Sequence, residues 1–250
     1  MALVSAHRGG AGDDHAAENT LAAFEAAIAM GCHFVEFDVR LTADGRPVIF
    51  HDAELTGDGD ARSIALHRLD EIADAELVTL DTVLNLVRGR IGAHIDLKVP
   101  GGEISLVEQI VSVLGTDDVI ITTAEDSSVR QLRRWSREHA PDLLVGLSSS
   151  PRSGAAHWFV RKRVQLESAF PRLRLRLSGA NLVVAHKLVA RLTLKAYARR
   201  HGLPLLVWTV DHPAELERWM NDPDVWMVTT NHPERAFAAR HESTEGPAGP

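Results

Sequence analysis

Short apolar runs punctuate the chain, and the apolar residues between them recur at helical spacing rather than in strict alternation. The runs predict strands over residues 3–7, 34–39, 94–97, 119–123, 143–147, 182–185, 205–210 and 226–229. The intervening stretches read as helices. "TLAAFEAAIAM" follows Asn19, which is expected to cap it, and "DTVLNLVRGR" starts at Asp81. "ISLVEQIVSVLG" ends on Gly115 as a C-cap, and "HPAELERWM" carries Pro213 at an early helical position. "DSSVRQLRRWSREHA" and "LVARLTLKAYARRHG" follow the same logic.

Eight strands, each followed by a helix, make an α/β chain with the count of a (β/α)8 TIM barrel, and 250 residues is the usual size for one. The rival is a doubly wound open sheet. It would want a G-x-G-x-x-G loop running straight from the first strand into a helix. "HRGGAGDDHAAENT" lacks that spacing, and its helix waits until about Thr20. "VRLTADGRPVIFHD" has Asp44-Gly45 between two apolar runs, which predicts a hairpin returning along 47–50 and ending at His51. Residues 53–80 are then a short insertion after that hairpin, and 151–179 read as an irregular stretch. The expected organisation is one domain over 1–240 and a disordered Gly/Pro-rich tail over 241–250.

Net charge changes the picture only locally. A formal charge of -7 gives no global case for a nucleic-acid partner, while a small-molecule, phosphate-type substrate remains open because a site can be locally basic or hold a metal. Residues 151–179 run the other way, with seven Lys/Arg against Glu167 alone. They read either as a solvated surface or, over the aromatic and basic 157–176, as a peripheral contact for phosphate groups or anionic membrane. The lone Cys32 excludes an internal disulfide and is expected to be a buried structural thiol. The start lacks the basic and apolar regions of a signal peptide, and no run approaches the roughly 20 apolar residues of a membrane span, so a cytoplasmic protein is expected.

The candidate chemistry lies at strand ends, where barrel enzymes work. His7 and Arg8 follow the first strand, Glu36 and Asp38 sit in the second, and His51 ends the hairpin. Asp96 and Lys98 end the third strand, His186 and Lys187 the sixth, and Trp208 lies in the seventh. Residues two apart on a strand share a face, so Glu36 and Asp38 point one way while Val35, Phe37 and Val39 point toward the helices. Adjacent carboxylates inside a barrel repel and are costly to bury. A hard divalent cation with oxygen ligands removes both penalties, and Asp96 can supply a third oxygen. Pairing of these acids with Arg8 or Lys98 alone is the structural alternative. His7 and His51 suit acid–base work near neutral pH, or could be ligands themselves; three carboxylates favour Mg2+ or Ca2+ over zinc. The implied reaction is metal-assisted phosphoryl transfer.

Taken together, "HRGG", "ENTLAAFEAAIAMG", "VEFDVRLTADGRPVIFHD", "IDLK" and "VWTVD" resemble the glycerophosphodiester phosphodiesterase family, most densely over residues 4–52. The resemblance implies a TIM barrel that hydrolyses glycerophosphodiesters to glycerol 3-phosphate and an alcohol. It implies Mg2+ or Ca2+ on Glu36, Asp38 and Asp96, His7 and His51 as the acid–base pair, and Arg8 and Lys98 on the phosphate. Glu18 matches a family acid close to the site, or else caps the first helix. Trp208 lines the glycerol pocket, or else is a core aromatic. The chain departs from the family pattern in having Asp96 where Glu is usual, Ala17 where Pro precedes E-N-T, and Asn231 where T-D-x-P has its acid. Asp at position 96 resembles the related sphingomyelinase and phospholipase D barrels. Two alternative expectations stand beside this: a lysophospholipase D-like activity on lysophospholipids, motivated by the basic and aromatic 157–176, and a non-catalytic phosphodiester-binding barrel, motivated by Asp96 and the other departures.

Overall fold

The chain forms a closed (β/α)8 barrel, seen in a computed structural model that describes residues 1–56, 61–99, 101–149 and 170–242. Eight parallel strands make the wall: β1 (Leu3–Ala6), β2 (Phe34–Leu41), β7 (Gly92–Leu97), β8 (Val119–Thr123), β9 (Leu144–Ser149), β10 (Leu182–His186), β11 (Leu205–Trp208) and β12 (Met227–Thr230). Neighbours in this order pair in parallel, and β1 closes the ring by pairing with both β12 and β2. Each expected strand is present, with ends shifted by at most two residues.

Strand parity explains where the core sits. Val35, Phe37 and Val39 of β2 join the large apolar layer between sheet and helices. Phe34, on the opposite face, packs inside the barrel with Ile120, Leu182, Val184, Leu206 and Met227. That inner cluster plugs the lower half. Around that plug the wall strands are buried on both faces, which is why they read as nearly continuous apolar runs. The polar residues of the same inner face lie above the plug, at the carboxyl ends of the strands.

The hairpin forms as expected: β3 (Pro47–Ile49) pairs antiparallel with β2, Val39 opposite Ile49. The insertion after it carries β4 (Glu54–Leu55) paired with β5 (Arg62–Ser63), and returns through β6 (Val78–Thr79) alongside β3. Val48, Leu55, Ile64 and Ile72 give it a small core of its own, which seats the hairpin end that bears His51.

Two expectations are corrected. Asn19 does not cap the first helix. Thr20 does, its hydroxyl accepting from Ala23 N at 3.2 Å ahead of helix Leu21–Ala29, while Asn19 turns inward at φ 59°. Residues 151–179 are not irregular throughout: Pro171–Ser178 is a helix, opened by Pro171 and closed by Gly179 at φ 72°. Proline pre-sets the first turn and glycine takes the left-handed exit at no steric cost. The part of the basic 157–176 segment before residue 170 lies outside the described residues. Helix Pro233–Glu242 runs two residues into the stretch expected as tail, and 243–250 also lie outside. Cys32 is buried, and burial pushes its thiol up to about 12, as an inert structural cysteine requires. No helix among the described residues is long and apolar enough to cross a membrane.

Candidate active site

A tight turn after β1 places the first pair of site residues. His7, Arg8 and Gly9 form one 3-10 turn in which Arg8 takes a left-handed conformation, φ 48°. Gly9 permits it. A Cβ there would lie 2.6 Å from the Ala23 Cβ of the first helix, so the turn rests directly on that helix. Asn19 N donates to the Arg8 carbonyl at 2.9 Å and ties the turn to the loop before the helix.

Register places the carboxylates. Asp38 of β2 lies directly beside Asp96 of β7, and Glu36 beside His94, one layer lower. One oxygen from each of Glu36, Asp38 and Asp96 can be chosen so that all three lie within 4.8 Å of one another. Glu36 and Asp38 are buried, and Asp96 is half-buried. The lining of the cleft also holds His7, Arg8, His51, Lys98 and Trp208, in a volume of about 90 Å³. A larger groove of about 820 Å³ outside the barrel, lined by Arg172, Arg176, Tyr197 and Arg200, carries no acidic cluster, so the chemistry belongs to the smaller cleft. Of the site residues that the family resemblance implies, all except Glu18 line that cleft; the strand-end candidates His186 and Lys187 do not. Glu18 stands behind Arg8 and accepts from its Nη1 at 2.6 Å; it does not cap the helix.

The two cations of the cleft are held by its acids. Arg8 Nε lies 3.2 Å from Asp38 Oδ2, and Lys98 Nζ lies 3.1 Å from Asp38 Oδ1 and 2.5 Å from Asp96 Oδ2. Burial opposes ionisation of Asp38, but Lys98 and then Arg8 outweigh it and hold that carboxyl below the usual range. Glu36 behaves oppositely. Burial first, then the charges of Asp38 and Asp96, push it well above the usual range. Its one strong donor is the Arg8 backbone N–H at 2.8 Å. Three acids meet two cations here, and a divalent ion would relieve the excess. All-oxygen, hard carboxylate donors fit Mg2+ or Ca2+ rather than a soft metal.

Three residues that sequence reasoning passed over hold this set in place. Asn19 Nδ2 donates to Asp38 Oδ2 at 3.1 Å. The buried His94 lies 3.2 Å from Ser5 Oγ at Nδ1 and 3.2 Å from Thr122 Oγ1 at Nε2, and Thr122 donates to Asp96 Oδ1 at 2.7 Å. Since the Thr122 proton is spent on Asp96, its oxygen accepts from His94, and His94 accepts from Ser5. The chain orients Asp96. The signal for Asn19 was present in "ENT" but matched the cap rule as well; nothing local marked His94 or Thr122.

The histidines differ in setting. His7 is largely buried, with Nδ1 2.7 Å from Asn231 Oδ1 and Nε2 3.9 Å from Glu36 Oε2. Burial and then Arg8 lower its pKa below 6.5. His51 is half-buried at the mouth, with Nδ1 2.8 Å from Asp52 Oδ1. Arg40 fixes the backbone there, donating to the His51 carbonyl from Nε at 3.0 Å and Nη2 at 2.5 Å. Trp208 stands edge-on to His186, its centroid 6.4 Å away. Trp208 Nε1 and Thr229 Oγ1 are buried in the lining with no hydrogen-bond partner among the described residues.

The model of the glycerophosphoryl diester phosphodiesterase family matches residues 7–235. A protein of Caldanaerobacter subterraneus subsp. tengcongensis named glycerophosphodiester phosphodiesterase is 27% identical over 253 residues, covering 93% of this chain and 95% of its own. Glycerophosphodiester phosphodiesterase 1 of Mus musculus is 37% identical over 110 residues, 37% of this chain and 33% of its own. Among solved structures, a glycerophosphodiester phosphodiesterase from Parabacteroides distasonis superposes with a TM-score of 0.76 at 22% identity, covering 98% of both chains. An Oleispira antarctica phosphodiesterase in complex with sn-glycerol-3-phosphate superposes with a TM-score of 0.71 at 21% identity, over 96% of this chain and 97% of its own. The family match spans the barrel from the first site histidine to beyond the last strand, and the chain belongs to the glycerophosphoryl diester phosphodiesterase family of phosphoric diester hydrolases.

Proposed function

We propose that the protein hydrolyses glycerophosphodiesters to glycerol 3-phosphate and an alcohol, with His7 as general base and His51 as general acid. The observation that carries this reading is the convergence of both imidazoles, three carboxylates, Arg8 and Lys98 on one cleft. A binding-only barrel has no need of two imidazoles in the lining of its anion site. Glu36, Asp38 and Asp96 would hold Mg2+ or Ca2+. When bound, that ion supplies positive charge to the phosphate oxygens and their transition state.

The chain's own residues do the rest. Arg8 and Lys98, locked by Glu18, Asp38 and Asp96, turn cationic groups toward the phosphate without having to be ordered on binding. His7, kept neutral by burial and Arg8, takes a proton from the attacking water as its oxygen forms the new P–O bond. His51 gives a proton to the alkoxide as the P–O bond to the alcohol breaks. Its half-exposed position at the mouth of the cleft suits an alcohol that projects outward. The unpartnered Trp208 Nε1 and Thr229 Oγ1 are donors suited to a glycerol hydroxyl.

Release of glycerol 3-phosphate from glycerophosphocholine and glycerophosphoethanolamine tests this. We expect activity that is lost in EDTA, restored by Mg2+ or Ca2+, and reduced about 10²-fold or more in Glu36→Ala, the loss expected when transition-state charge is left unmatched. No release with either metal would overturn the reading.

A lysophospholipase D-like activity has one observation in its favour. Phe170, Leu173, Leu177, Leu188 and Leu192 are exposed, with Arg172 and Arg176 among them, on the side of the barrel where β10 delivers His186. Apolar side chains interleaved with arginines suit an anionic lipid surface. Faster turnover of lysophospholipids than of glycerophosphocholine, lost on Leu173→Asp with Leu192→Asp, would favour it; equal loss on both substrates would not.

A further inference from the structure

Thr230 at the end of the last barrel strand, Asn231 after it, and Asp211, the acid that follows β11, build a feature that the reaction itself does not require on paper. Asp211 accepts three hydrogen bonds: from Asn231 Nδ2 at Oδ2, 3.0 Å; from Asn231 N at Oδ1, 2.8 Å; and from Thr230 Oγ1 at Oδ1, 3.1 Å. Beyond Asn231 stands His7, its Nδ1 at 2.7 Å from Asn231 Oδ1. We propose that Asp211, acting through Asn231, is a positioning residue for His7, and that the pair fixes the ring with its proton on Nδ1 and its lone pair on Nε2, facing the cleft.

The argument is one of donors and acceptors. A side-chain amide has a donating end and an accepting end of nearly the same shape. Asp211 removes the ambiguity here. A carboxylate only accepts, so the NH2 end of Asn231 must face it; the flipped amide would set oxygen against oxygen and lose the 3.0 Å bond. The amide oxygen therefore faces His7. An oxygen without a proton can bond Nδ1 only if Nδ1 carries the hydrogen. In a neutral imidazole the other nitrogen then holds the lone pair. That nitrogen, Nε2, is the one lying 3.9 Å from Glu36 Oε2 inside the cleft. The chain thus presets the base in the form that can accept a proton where substrate binds.

The device also accounts for the departure at position 231. A carboxylate there would bond Nδ1 directly. An amide does the same steering with a neutral contact and leaves the charge one residue further back, on Asp211. The prediction is that the two positions can be exchanged. Asp211→Asn alone sets amide against amide and loosens the steering. Asn231→Asp alone sets carboxylate against carboxylate. Asp211→Asn combined with Asn231→Asp restores one donor and one acceptor in each contact and still offers Nδ1 an acceptor.

The test has two parts. The inference rests on His7 being the base, so the first part does not read catalysis. Ring 15N shifts of His7 in the metal-free protein, at a pH where the ring is neutral, should show a protonated Nδ1 and a bare Nε2 in the wild type. Asn231→Leu should show a mixture or the opposite tautomer. The second part is kinetic. Asp211→Asn and Asn231→Leu should each lower kcat about 10²-fold with little change in KM, the scale on which a misdirected imidazole fails as a base. The exchanged pair should recover most of the loss. A wild-type His7 with its proton on Nε2 overturns the proposal, as does full kcat in Asp211→Asn. If the single variants do not fold, the wild-type shifts and the exchanged pair decide it. The correct tautomer in a protein whose His7→Ala variant keeps its rate would instead leave the positioning intact and sink the assignment of His7 as base.

Discussion

At the scale of single residues, the division of labour between the two histidines follows from where each sits. His7 is sunk beside Glu36 and Arg8, and His51 stands at the mouth beside Asp52. An acid matters only when the leaving group is a poor one. His51→Ala should therefore cost about 10²-fold or more in kcat on a choline or ethanolamine diester but far less on a diester with a p-nitrophenyl leaving group. His7→Ala should cost about 10²-fold or more on both. Steady-state rates on the two substrate types check this, and equal losses in His51→Ala would remove it from the acid's role. Part of the residue layout was readable in advance. Glu36 and Asp38 share a face because the strand period is two, and the apolar residues between them confirm which face. Asn19, His94, Thr122, Asp211 and Asn231 were not readable as a group. They act through contacts between distant strands and loops, such as Ser5 with His94 and His7 with Asn231, and no local period encodes those.

At the scale of elements, the sequence was legible where one rule applied and misleading where two competed. Gly115 and Pro213 had a single reading and ended or began helices as expected. Asn19 satisfied the cap rule, but Thr20 satisfied it one residue later, and Asn19 was left for Asp38. The basic stretch hid helix Pro171–Ser178 because its arginines carry no apolar period strong enough to announce one; Arg174 turns inward instead, to Asp126 at 2.6 Å. The turn after β1 is the element most exposed to a small change. Gly9 sits at φ 92°, with Ala23 Cβ 2.6 Å from where its own Cβ would be, while Arg8 beside it is left-handed. Gly9→Ala must both strain the backbone and push the turn off the helix. We expect a loss of about 1–3 kcal/mol in stability, the range for overpacking, together with weaker substrate binding as Arg8 shifts. Urea midpoints and KM measure the two effects. A stable variant with unchanged KM would show that the turn tolerates displacement without moving the guanidinium.

At the scale of the whole molecule, the alternation of strands and helices announced the barrel, but not how tightly its polar upper half is bound to its stability. His94 is the clearest link. Burial first, and then the charge of His7, depress its pKa from 6.5 to about 3. The unfolded chain takes up a proton on this residue near pH 6.5, whereas the native state resists until about 3. Between those values the unfolded state binds the extra proton, so native stability falls as pH falls, by up to about 1.4 kcal/mol per pH unit from this group. Glu36, whose pKa is raised, acts with the opposite sign as pH rises, so the total curve mixes several groups. A variant comparison separates them. His94→Gln offers a donor to Thr122 and an acceptor to Ser5 but cannot titrate. Its urea midpoint, measured in EDTA, should gain on that of the wild type as pH is lowered from 7 to 4, whatever its starting value at neutral pH. Parallel curves would mean that the barrel opens locally at His94 before it unfolds, letting the proton in. The layer that orients Asp96 would then be a mobile part of the native state rather than a rigid floor for the site.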